Sequence, residues 1–364
     1  MQGPISPKRG QTSFILPNRL FPPMLSSMRR ARIKNAPGEA ACFHIVCRTY
    51  ERQFLFESAE EKQRLLLWLE KAADFCGVRL YAWCLMSNHV HLLVHVPAAH
   101  SIDDAELLRR MRRLYLPRRF EAILRQWSMW ERIDGHSGRV DAAKARLKAR
   151  MHDISSFAKT FKQAVAEDYN DRHNHSGSIW GGTRFKSVYL QDALAVRLSV
   201  ATYIHMNPCR AGMVPTPSQY AWSSWGAACA APGRARDGLI ALFGSDFGWA
   251  AVHEQLKALH KHASERRERK GPVTDNKGKR MELPLLSDIL AVKSPLFTAS
   301  PILGSEAFIQ RILGETRGAR PHARVHRKTA PLAAWNGQTL CTLADRRFGR
   351  SPFSPSPPPS AQSA

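Results

Sequence analysis

The chain has 364 residues, 44% of them hydrophobic, which suffices for one domain with a large core and an appendage, or for two modest domains. Lys and Arg number 54 against 30 Asp and Glu, a formal net charge of +24 that repels itself on folding and asks for a polyanionic partner, nucleic acid being the commonest. No stretch approaches the roughly 18 apolar residues of a membrane span, and the apolar run Phe14 to Leu25 is broken by prolines and Arg19 before it could serve as a signal core. Seven cysteines, an odd count without a C-x-x-C pair, argue against a disulfide or zinc framework and for reduced thiols in a cytoplasmic protein, whose charge would associate it with the nucleoid.

Residues 1–38 are rich in Pro, Ser, Arg and Lys without periodicity and read as a disordered basic segment. Ala41 to Tyr50 (ACFHIVCRTY) is a strand candidate, and Ser58-Ala59-Glu60-Glu61 has the form of a capping box opening a helix that Gly77 terminates. A second strand from Val78 to Leu85, a Met86-Ser87-Asn88 turn and a third strand from His89 to Val96 make a hairpin. Residues 98–150 are polar, helical in tendency and dense in arginine (LLRRMRRLYLPRRF), and read as a basic insertion. Phe157, Phe161, Ala164 and Val165 then fall on one face of a helix from about Ile154 to Tyr169. A strand from Arg184 to Leu190 follows, and a helix from about Asp192 to Met206 that Pro208 should end by keeping its predecessor out of helical backbone.

The order is β-α-β-β-α-β, which predicts an α+β fold: a ferredoxin-like split antiparallel sheet with an added C-terminal helix after the last strand. The domain is expected over residues 39–226, interrupted by the insertion at 98–150. Residues 227–350 are expected to hold a charged linker at 264–282 and short helices, one from Gly304 to Leu313, and 351–364 a disordered tail.

The third strand raises the chemical question. His89 and His91 alternate with Val90 and therefore point to one face, their Cα atoms about 6.6 Å apart, close enough to bind one ion. His95 shares the parity but lies roughly 13 Å beyond His91, too far to share it. Two histidines on the solvated face of a half-buried strand would look the same. Near the end of the last helix, Tyr203 and Asn207 are spaced i, i+4 in TYIHMNP and so are neighbours on a helical face. A core aromatic and a helix-ending amide would explain them equally well.

Together these blocks resemble the single-tyrosine His-hydrophobe-His transposases, in particular the REP-associated tyrosine transposases. The resemblance runs through FHIVCRTY from Phe43, CLMSNHVHLLV, IWGGTRFKS from Ile179 to Ser187, YIHMNPCRAGMV from Tyr203 to Val214 and YAWSSW from Tyr220 to Trp225, about half of the chain. It implies a split nuclease site with His89 and His91 as paired metal ligands, Asn207 as a third, amide ligand, and Tyr203 as nucleophile. It also implies Mg²⁺ or Mn²⁺ as cofactor, single-stranded or hairpin DNA with palindromic repeats as partner, and room for a homodimer. Two imidazoles and an amide oxygen suit such an ion and leave positions for phosphodiester oxygens.

Trp180, Arg184 and Lys186, before and along the last strand, would hold the DNA by stacking and charge, core packing being the alternative for Trp180. Arg109, Arg110, Arg112 and Arg113 of the insertion would contact phosphates. Trp222 and Trp225 read as core, and Arg172-His173-Asn174-His175, although it spells H-N-H, as a polar loop. Two other functions remain open, a non-catalytic DNA-binding protein that keeps the fold and a sheet that binds RNA.

Overall fold

The computed structural model describes residues 33–36, 38–133, 137–181, 185–244, 246–268, 301–318, 328–335 and 338–344. The disordered ends expected at 1–38 and 351–364 fall almost wholly outside the described residues, as does most of the 264–282 linker.

Four strands form the expected sheet: β1 (Ala41–Arg48), β2 (Arg79–Leu85), β3 (His89–Val96) and β4 (Lys186–Leu190), in the order β2-β3-β1-β4 with every neighbour antiparallel. β1 is central because ACFHIVCR is apolar on both parities, and seven of its eight residues are buried. Helix α1 (Ala59–Cys76) starts where Ser58 Oγ accepts from Glu61 N at 3.1 Å. It stops at Gly77, in the left-handed region at φ 64°, where a Cβ would lie 2.3 Å from the Arg110 guanidinium. Its partner across the same sheet face is α5 (Ile154–His173), which buries Phe157, Phe161 and Val165. The α+β class and the split β-α-β-β-α-β order are as the pattern predicts.

The insertion is three helices, α2 (Asp104–Leu114), α3 (Pro117–Arg132) and α4 (Ser137–Lys148), joined to the main core through Leu107, Met111 and Leu114 against α1. The opposite face of the sheet is crossed by α6 (Leu194–His205), which lies over β2 and β3.

The expected boundary at 226 is not a packing boundary. After α7 (Asn207–Arg210) and α8 (Ser224–Ala230), α9 (Arg234–Phe243) lies on β2, with Gly238 so close that a Cβ would meet Leu80 O at 2.3 Å. α10 (Trp249–Glu268) then packs on α6 and takes up the first residues of the expected linker. Alternating hydrophobic patterning misses α9 and α10 because they bury against elements far back in sequence. β5 (Ile302–Gly304) pairs in parallel with β4, the helix expected from Gly304 is α11 (Glu306–Gly318), and β6 (Lys328–Trp335) and β7 (Gln338–Ala344) complete a seven-stranded sheet. No described helix is long and apolar enough to cross a membrane.

Candidate active site

Strand register builds the site before any side chain is considered. Opposite His91 stands Val46, opposite His89 stands Arg48, and opposite Leu93 stands His44, so His44, Arg48, His89 and His91 share one face. Lys186 opposite Val46 adds an exposed cation from β4 to that face. α6 lowers Tyr203 onto it. The Tyr203 ring lies 5.8 Å from the His91 ring and 5.9 Å from the His44 ring, edge-on to both. His89 and His91 rings are 5.0 Å apart at 78°.

Each paired histidine is oriented through the same nitrogen. His89 Nδ1 faces Asn88 Oδ1 at 2.6 Å, and His91 Nδ1 faces His44 Nε2 at 3.0 Å. With Nδ1 engaged, Nε2 is the atom through which each ring would hold an ion, and a partner at the other nitrogen is what fixes a ligand imidazole's orientation. Burial drives the His91 pKa well below its ordinary value, reinforced by His44, His89, Arg210 and Arg48, so the ring is in the neutral form that binds metals. Among the described residues no three His, Cys, Asp or Glu side chains cluster to cage an ion. His89 and His91 are the two neutral-capable nitrogen donors that this face presents side by side.

Tyr203 is 6% exposed, and burial raises its pKa, an effect that Arg210 and Arg48 oppose. The Arg210 guanidinium lies 4.3 Å from the ring centroid and also donates to the Tyr203 carbonyl. A phenol with two cations in its field loses its proton more readily than burial alone would allow.

Asn207 corrects one step of the sequence reading. α6 ends at His205, Met206 makes the break at φ −77°, ψ −5°, and Asn207 opens α7 with Pro208 in its first turn. Proline is tolerated there because that N–H has no intrahelical partner, so the residue before it need not leave helical backbone. Asn207 thus opens a short second helix directly after that of Tyr203. Its Nδ2 donates to Tyr203 O at 3.1 Å and Ile204 O at 3.2 Å, closing α6 and leaving Oδ1 as the atom it would offer an ion.

Of the DNA-contact candidates, Lys186 lies on the site face and Arg184 outside the described residues. Trp180 is core: it is 3% exposed, its Nε1 donates to Lys162 O at 2.8 Å, and it packs on Phe56 and Phe161, so it presents no face to a base. Three of the four candidate arginines of the insertion already pair with carboxylates. Arg109 and Arg110 both bond to Glu106 at 2.6 Å, Arg113 bonds to Asp74 at 2.9 Å, and Arg110 is buried against Met151. Arg112 is exposed and lies over the Phe120 ring. The counter-ions of Arg109, Arg110 and Arg113 are Glu106 on α2 and Asp74 on α1, the latter shared with Arg234, which the count of arginines in LLRRMRRL conceals.

His95 stays away from the pair, stacked on Tyr81 at 5.4 Å. Arg172 and His173 end α5 in contact with Glu61, and Asn174 caps it in the left-handed region, so the H-N-H letters mark a helix terminus. Trp225 is buried, as expected. His44, Arg48 and Arg210 went unread. The parity of His44 in FHIVCRTY was available from the sequence, but only the β1–β3 register brings it to His91.

Residues 39–132 match the family model described as Transposase IS200 like. This segment carries the IS200-like transposase signature. It spans β1 to α3 and includes Asn88, His89 and His91, so the transposase resemblance read from FHIVCRTY and CLMSNHVHLLV is borne out there. A solved structure of a REP-associated tyrosine transposase bound to a REP hairpin aligns with 56% of this chain and 86% of that one, at 14% identity and a TM-score of 0.32. No curated protein matches this chain.

Proposed function

We propose that this IS200-like transposase domain is a metal-dependent single-strand DNA endonuclease and strand transferase that acts on hairpin DNA with Tyr203 as nucleophile. The observation that carries the reading is the Tyr203 ring 5.8 Å from His91 on the face where His89 and His91 are both held through Nδ1. His89, His91 and Asn207 would hold Mg²⁺ or Mn²⁺, which when bound neutralises charge on the phosphodiester. Arg48, Lys186 and Arg210 bring further positive charge to the phosphate.

The Tyr203 oxygen, after losing its proton, attacks phosphorus. The P–O3′ bond breaks, the 3′-oxygen takes up a proton, and the 5′ phosphate stays on the phenol. A 3′-hydroxyl from another strand can reverse these steps and rejoin DNA, which makes the chain a transferase instead of a hydrolase. Incubation with Mn²⁺ and a hairpin oligonucleotide should give a denaturation-resistant protein–DNA adduct and a free 3′-hydroxyl fragment. Binding without any adduct would favour the non-catalytic DNA-binding reading. RNA binding is disfavoured because β1 and β3 carry histidines beneath α6 where an RNA-binding sheet displays aromatic rings.

A further inference from the structure

Where β1 leaves the sheet beside His89, the chain makes an unusual turn. Glu51 and Arg52 are consecutive non-glycine residues at φ 47° and 60°, a conformation that costs free energy at each and persists only where its surroundings enforce it. They do. Thr49 N donates to Asn88 O at 3.0 Å, Phe56 N to Ser87 O at 2.9 Å and Tyr50 N to Ile179 O at 2.9 Å, while Phe56 is buried against Trp180. Asn88 clamps the loop with the same side chain that orients the metal-ligand candidate: its Nδ2 donates to Arg52 O at 3.1 Å and its Oδ1 faces His89 Nδ1.

What this loop displays is aromatic. Tyr50 is 50% exposed and Phe54 64%, and among the residues whose side chains are described no other Phe, Tyr or Trp is more than about a third exposed. The backbone that carries the two exposed rings has already lost the freedom that binding would otherwise remove. Exposed Arg48, one residue before the loop, and exposed Arg52 within it outnumber exposed Glu51, which bonds to the Tyr50 hydroxyl, and leave the positive charge that accompanies base stacking in single-strand binding sites.

We propose that Tyr50 and Phe54 form a stacking platform for the unpaired nucleotides of the DNA strand next to the phosphodiester held at His89 and His91. This inference deepens the nuclease reading and takes its strand position from it. A paired duplex has its base faces covered by stacking and cannot use the platform. Unpaired nucleotides can, with little regard to sequence, because every base has a π-face.

The test separates the platform from the nuclease chemistry. In a Tyr203→Phe background, an oligo(dT) carrying one 2-aminopurine is titrated and its fluorescence followed, with a blunt duplex of equal length as control. Stacking should quench the 2-aminopurine. Tyr50→Ala and Phe54→Ala should each weaken oligo(dT) binding by about 5- to 100-fold and relieve the quenching, with duplex affinity unchanged. Tyr50→Phe, which keeps the ring, should bind like the parent. Both rings are exposed, so the variants should fold, and unchanged circular dichroism checks that they do.

Unchanged oligo(dT) affinity in the double alanine variant, or an equal loss on duplex, would overturn the platform. If that happens while the chain with Tyr203 intact still forms its adduct, the platform falls alone. Ring-dependent oligo(dT) binding without any adduct would leave the platform standing and remove the nuclease.

Discussion

Helix α6 touches two buried histidine pairs with nearly equal nitrogen separations, one stacked at 19° and one edge-on at 61°, in opposite surroundings. On the sheet, His44 Nε2 and His91 Nδ1 are 3.0 Å apart, and toward α10, His205 Nδ1 and His260 Nε2 are 3.1 Å apart. Burial holds His91 and His205 well below the ordinary imidazole value and His260 at about 3. The second pair is closed off: His205 Nε2 contacts Ser224 Oγ at 2.8 Å, Ser224 in turn holds the Trp83 backbone, and Trp225 lies 4.8 Å from His260. The first opens along the strand to half-buried His89 and is ringed by Tyr203, Arg48 and Arg210. Two imidazoles in contact do not make a site. A phenol, cations and a way out to the surface set the first pair apart from the second.

That contrast breaks most visibly by substitution. His89→Ala or His91→Ala should abolish adduct formation while hairpin affinity, measured by filter binding, stays largely intact, because phosphate contacts elsewhere supply most of it. His260→Leu should leave the adduct rate within a few-fold, since it removes only a packing polar pair. Loss of the adduct in His260→Leu at unchanged stability would make the two pairs functionally alike and erase the distinction.

His44 sharpens the comparison at the next level down. It contacts His91 Nδ1 and would orient the ligand without touching the ion, so His44→Ala should cost about 10- to 100-fold in Mn²⁺ affinity. Calorimetric titration of Mn²⁺ into the Tyr203→Phe protein checks this without any turnover. An unchanged affinity would leave His44 as packing.

On the helical face of the sheet, electrostatics serve stability instead. Burial pushes the Asp168 carboxyl up, but hydrogen bonds from Arg64 and Arg172 outweigh it and hold the group below its ordinary value. A lowered folded-state pKa means stability that is full above the unfolded value near 3.9 and is lost as pH falls through the folded one. Asp168→Asn should therefore cost about 2 to 3 kcal/mol at pH 7, and the gap to the parent should close as the pH drops below about 4. Thermal denaturation across that range measures it, and a gap independent of pH would mean the loss is steric.

The smallest effect belongs to the insertion. Arg109, Arg110 and Arg113 already face Glu106 and Asp74, so replacing these three and Arg112 by Ala should flatten the salt dependence of DNA binding by no more than about one phosphate contact, roughly 0.9 in log–log slope. Flattening by three or four contacts would show that DNA displaces these carboxylates.

Local patterning reads well wherever the chemistry is local. Both ends of β3, the Ser58 cap and the Gly77 stop of α1 follow from residue types within a few positions. Parity alone places His89 and His91 on one face. Long-range register is another matter: nothing near His44 or Arg48 says that β1 will slide until Val46 meets His91. The break at Met206 was hidden because proline excludes helix behind it in general but opens one when it falls in a first turn. Trp180 read as a stacking ring because composition cannot reveal that Lys162 O awaits its indole.

On the proposed mechanism the phenol above the histidine pair, and no other tyrosine, attacks DNA. Three tyrosines serve as internal controls: Tyr220 donates its hydroxyl to Leu85 O at 2.7 Å, Tyr189 packs between Phe43 and Phe308, and Tyr169 stacks on His173. Peptide mapping by mass spectrometry of the adduct formed with Mn²⁺ and a hairpin oligonucleotide should place a 5′-phosphonucleotide on Tyr203 alone, and Tyr203→Phe should yield none while keeping hairpin affinity. DNA found on Tyr169, Tyr189 or Tyr220, or cleavage that persists in Tyr203→Phe without a covalent intermediate, would contradict the account.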